Sequence, residues 1–78
     1  LIMSGIVVID RTNFRKICKA RGVDANNLLF NRITWRLARL EQLEDAGMAS
    51  CDAAVILQQE LETLFAKLAR KLYGEANV

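Results

Sequence analysis

Histidine and proline are absent from this 78-residue chain, and it holds only two cysteines, one tryptophan and four glycines. Without histidine, the side chain that most often exchanges protons near neutral pH is missing, and with it imidazole-based catalysis. A zinc site would have to be assembled from Cys18, Cys51 and carboxylates alone, an uncommon donor set. Two cysteines cannot supply a dense disulfide framework, and neither has an evident base to activate it. The glycines stand singly, so no phosphate-cradling loop is present. These absences point to a protein that is not an enzyme and carries no cofactor and no metal.

The N-terminal run LIMSGIVVI is apolar, but its nine residues fall well short of the ~20 a membrane-crossing helix requires. It also lacks the basic flank and small-residue cleavage site of a signal peptide. A soluble, cytoplasmic chain without membrane contact is expected.

What is present is 53% hydrophobic and 26% charged, the balance of a compact helical domain. Residues 1–78 form one domain, near the size where a single core supplies only ~3–5 kcal/mol unless something else helps. With disulfides and metal set aside, oligomerisation is the expected help.

Gly5-Ile-Val-Val-Ile9 is β-branched after a glycine, so residues 1–10 read as an apolar arm or short strand. Phe14, Ile17 and Cys18 then recur at helical spacing up to Gly22, predicting a helix over 12–21. Asp24 is the expected N-cap of a second helix over 25–46, with Leu29, Ile33, Leu37 and Leu40 on one face and a stop at Gly47. Ser50 is the expected cap of a third helix over 51–73, striped by Ala54, Leu57, Leu61, Leu64, Leu68 and Leu72. The short loop Gly47-Met-Ala-Ser50 folds the second and third helices into an antiparallel hairpin. The fold class is therefore all-α: a helical hairpin with a short N-terminal helix and an extended arm.

Apolar side chains exceed what one hairpin seam can bury. Leu28 and Trp35 lie about opposite Ile33 on the second helix, and Phe65 widens the third-helix stripe. The surplus predicts a homodimeric helical bundle and a protein partner, with Leu28, Trp35, Phe65 and Tyr73 as candidate interface anchors.

Charge is polarised as well. Residues 11–39 hold eight cations against Asp24, a net +7, whereas residues 40–78 hold three cations against seven acids, a net −4. Residues whose numbers sum to about 97 stand level across the hairpin, by equal helical rise on both arms. That places Arg36 beside Glu60 and Glu62, and Arg70 and Lys71 near Asp24. Arg11, Arg15, Lys16, Lys19 and Arg21 keep no partner within the hairpin and are the candidate nucleic-acid contacts. Trp35, flanked by Arg32, Arg36 and Arg39, reads as an interface anchor, because base stacking uses several aromatics along one groove. Of the two cysteines, Cys18 reads as a core residue. Cys51, in the first turn of the third helix, is the more reactive candidate.

The stretch from Lys19 to Leu28, following a short strand, resembles ribbon-helix-helix DNA-binding dimers, in which a glycine turn separates two helices. Ile6-Val-Val-Ile9 departs from that pattern, having no polar side chains to enter a major groove. The hairpin from Phe30 to Gly74, with its ending Leu68-Ala-Arg-Lys-Leu-Tyr-Gly74, is similar to small antiparallel dimers that bind paired RNA loops in plasmid copy control. It is also similar to the helical-hairpin cochaperones of type III secretion needle subunits, which clamp other helices. These likenesses rest on amphipathic hairpin character, so no functional residue is carried over and no family is assigned. The sequence predicts an oligomerising interaction module, adaptor or chaperone-like; the alternative is a small dimeric nucleic-acid-binding regulator that uses the basic N-terminal half.

Overall fold

The structure, a computed structural model, describes residues 7–74 and contains three helices: α1 (Phe14–Arg21), α2 (Leu28–Asp45) and α3 (Asp52–Tyr73). Among the described residues there is no strand. Val7–Asp10, the described part of the expected arm, is irregular, and residues 1–6 lie outside the described residues. Ile9 is not a loose arm residue: it is only 4% exposed and joins the core.

Polar side chains between Ile9 and α1 set the start of that helix. The Asp10 carboxylate accepts from the backbone N–H groups of Thr12 and Asn13, at 2.9 and 3.1 Å. In return, Asn13 Oδ1 accepts from the Asp10 N–H, and its amide donates to the Val8 carbonyl. These bonds satisfy N–H groups in the turn that leads into α1, whose own N-cap, Asn13, makes no side-chain cap bond. Gly22 ends α1 with φ 71°, and the Val23 N–H reaches back to the Cys18 carbonyl at 2.9 Å. This left-handed stop is the one expected of Gly22.

The expected cap at Asp24 is corrected to Asn27. Asp24 Oδ1 accepts from the N–H of Asn26, two residues on, a local turn that holds the chain out of helix. Asn27 has extended backbone, and its Oδ1 accepts from the Phe30 N–H at 3.0 Å, so α2 begins three residues later. Gly47, at φ 76°, closes α2: its own N–H bonds the Glu44 carbonyl and the Met48 N–H bonds the Leu43 carbonyl. The cap of α3 is Cys51 rather than Ser50, and no side chain caps it.

α2 and α3 pack closely as the expected hairpin. Ile33, Leu37 and Leu40 of α2 and Leu68 of α3 are fully buried in the seam. Phe14 is the residue that ties α1 to both. It is 0% exposed, with its ring centroid 5.4 Å from that of Phe30 on α2 and 5.6 Å from that of Phe65 on α3. Such aromatic contacts add ~0.5–1.5 kcal/mol each beyond the area they bury. Among the described residues no buried side-chain polar atom lacks a partner, and no helix is long and apolar enough to cross a membrane.

Candidate functional site

Two open faces result from this packing. The first is the outer side of α2. Leu28 and Trp35, seven residues apart, are 64% and 66% exposed, and Arg32 and Arg39 flank them in the open. Seven residues of helix span about 10 Å, so the two apolar side chains lie two turns apart on one stripe. The Arg36 guanidinium lies 5.9 Å from the Trp35 ring centroid. It also donates from Nε to Glu60 Oε1 at 3.1 Å and from Nη1 to the Arg32 carbonyl. Expected from level pairing across the hairpin, the Arg36–Glu60 contact holds one edge of the tryptophan face against α3.

The four candidate anchors do not form one surface. Phe65 is 6% exposed and belongs to the core beneath Phe14. Tyr73 is half-buried at the far end of α3, with the Arg21 guanidinium 4.3 Å above its ring. Leu28 and Trp35 alone stay together in the open.

The second face is an open groove of about 710 Å³ between the segment Val7–Arg11 and one side of α3. Phe65 and Ala69 line it, Val8 stands 70% exposed along it, and Glu62, Ala66 and Arg70 edge it along α3. The i, i+4, i+8 row Glu62–Ala66–Arg70 was legible in the sequence as a spacing. The leucine stripe on the neighbouring face is the stronger periodic signal in that part of the sequence.

Two of the five basic candidates are engaged within the fold, against the expectation that all five keep no partner. Arg11 makes a two-pronged contact with Glu44, Nη1 to Oε2 at 2.7 Å and Nη2 to Oε1 at 2.8 Å. These hydrogen bonds hold the Glu44 carboxyl below the usual carboxylate range and raise Arg11. The partners are 33 residues apart in sequence, and they meet because the chain before α1 crosses the C-terminal end of α2. Arg21 covers Tyr73 and donates to the Leu72 carbonyl at 3.3 Å. Arg15, Lys16 and Lys19 remain exposed on α1. Among the described residues the ion pairs are Arg11–Glu44 and Arg36–Glu60, so Arg70 and Lys71 do not pair with Asp24 as level pairing suggested.

Among the described residues no group of three or more cysteines and acids is arranged to hold a metal ion. Cys18 and Cys51 are both free thiols. Burial pushes the Cys18 thiol above its ordinary value, which makes it a poor nucleophile. Compared with protein-family models, curated proteins and solved structures, the chain has no significant match in any of the three.

Proposed function

We propose that this protein is a non-enzymatic interaction module that works by capturing a protein partner on the outer face of α2. The observation that carries this reading is the placement of its one tryptophan. Trp35 is two-thirds exposed on a helix whose opposite face is fully packed, so the core gains little from it. Tryptophan is the residue most enriched among binding hot spots. Leu28 extends the apolar stripe, and Arg32 and Arg39 form a basic rim, an arrangement suited to a partner with an apolar patch edged by acids.

The test uses Trp35 as its own reporter. Wild-type and Trp35→Ala chains serve as bait in a nuclease-treated extract, and captured proteins are identified by mass spectrometry. A partner retained by wild type should be lost or weakened by ~2 kcal/mol or more in Trp35→Ala. Adding the purified partner should shift the tryptophan emission of wild type to shorter wavelength as the ring leaves water. Equal capture by both chains with unmoved emission would remove the α2 face from consideration.

A second reading, a nucleic-acid-binding regulator, is favoured by Arg15, Lys16 and Lys19, which stand in the open on one short helix without acidic neighbours in contact. A gel-shift titration against duplex DNA and structured RNA should then show binding that weakens steeply with salt. Replacing Arg15 and Lys19 with glutamate should abolish it while leaving helix content intact. Absence of any shift at low salt removes this reading.

A further inference from the structure

We propose that the groove beside α3 seats a second copy of this chain, related by a two-fold axis passing beside Ala66. The inference deepens the reading of an oligomerising module, and it uses a different surface from the α2 face. Glu62, Ala66 and Arg70 follow one another at four-residue steps along the groove. Residues so spaced are neighbours on one side of a helix, and eight residues of rise separate the two charges by about 12 Å. The row therefore reads acid, small, base, and it is symmetric in position about Ala66.

Among the described residues neither end of the row forms an ion pair. Among the described residues the ion pairs are Arg11–Glu44 and Arg36–Glu60, so Glu62 and Arg70 have no opposite charge in contact. The other two charged residues at the groove are committed elsewhere. Asp10 holds the N–H groups of Thr12 and Asn13, and Arg11 is spent on Glu44.

An α3 lying antiparallel about Ala66 sets Glu62 against the partner subunit's Arg70 and Arg70 against the partner subunit's Glu62. Both charges are matched twice by one symmetry operation. A parallel copy would oppose like charges, and a wholly apolar ligand would leave both unmatched. Ala66 at the axis lets the two backbones approach, and Val8 and the groove edge of Phe65 would lose their contact with water. Leu40, the contribution of α2 to the groove, is five residues from Trp35, about 140° around the helix. The dimer therefore leaves both Trp35 faces free for partners.

Charge reversal tests the pairing. The full chain, Glu62→Arg, Arg70→Glu and the double reversal are compared by sedimentation at micromolar concentration and low salt, with circular dichroism to verify folding. Wild type should dimerise. Each single reversal should weaken dimerisation roughly tenfold or more, because two contacts per dimer become repulsive. The double reversal should restore it, and mixing the two single variants should give a heterodimer in which both contacts are again complementary. A folded wild type that stays monomeric, dimerisation unmoved by the single reversals, or a double reversal without rescue would each overturn the proposal. The Trp35 emission experiment reads partner capture separately, so that reading survives or fails on its own result.

Discussion

The two long helices pack against the same seam but order their charges in opposite senses. α3 starts with Asp52 in its first turn and ends with Arg70 and Lys71 in its last. Its charges suit the helix dipole, each such placement contributing about 0.3–1 kcal/mol when exposed. α2 has no acid in its first turn and no base in its last, and Glu44 and Asp45 crowd its negative end. Left to itself, α2 would be the weaker helix. The compensations come from outside: Asn27 caps its start, Gly47 closes its end, Arg11 covers Glu44 and Arg36 anchors to Glu60. A helix whose charges oppose its dipole is here held by the rest of the fold, and that same helix carries the exposed tryptophan.

The contrast breaks most completely when the shared support is removed. Phe14→Ala deletes the ring that packs on both Phe30 and Phe65 and should cost about 3–5 kcal/mol in urea unfolding. In amide exchange of the wild-type chain, which stays folded, the last turns of α2 should be less protected than the middle of α3. Equal protection along both helices would mean that α2 does not depend more than α3 on its outside supports.

A smaller effect isolates the end of α2. Gly47 sits at φ 76°, and nothing lies within 4 Å of a Cβ placed there. Gly47→Ala therefore meets no clash and pays only the backbone penalty, about 1–2 kcal/mol. A thermal midpoint unchanged by this substitution would show that the turn relaxes without the left-handed residue.

The smallest effect is a matter of pH. The Glu44 carboxyl is held below its ordinary value by Arg11. Its contribution to stability is complete above the unfolded carboxylate value, about 4.3, and is lost as pH falls through the lower folded value. Arg11 is raised from an already high value and stays charged throughout that range. Glu44→Gln should consequently be less stable than wild type at neutral pH, with the gap narrowing under acid. A gap that does not change below pH 4 would show that the contact is not electrostatic. With no histidine in the sequence, no side chain at its ordinary value titrates between about pH 5 and 8, so wild-type stability should be nearly flat there.

Much of the architecture was legible from side-chain type and spacing. The stripes of α2 and α3, the stops at Gly22 and Gly47, and the outward placement of Leu28 and Trp35 all follow from helical periodicity and backbone sterics. Both are local properties that one strand of text carries. Level pairing even found Arg36 with Glu60, because a short loop fixes the register of a hairpin. Other features were beyond its reach. Asp24 could cap a helix or close a turn, and the hydrogen bond its carboxylate accepts from the Asn26 N–H decides for the turn. Phe65 and Leu28 look equally apolar in sequence, yet Phe65 packs against Phe14 within the core and Leu28 stays in water. Arg11 and Arg21 look like free cations in the sequence because their partners, Glu44 and Tyr73, are far away along the chain. The sequence by itself determined which residues can be helical and which faces of those helices are apolar. Only the tertiary structure decided which apolar face is covered and which cations are already spoken for, because burial and charge pairing depend on distances between segments that no local pattern encodes.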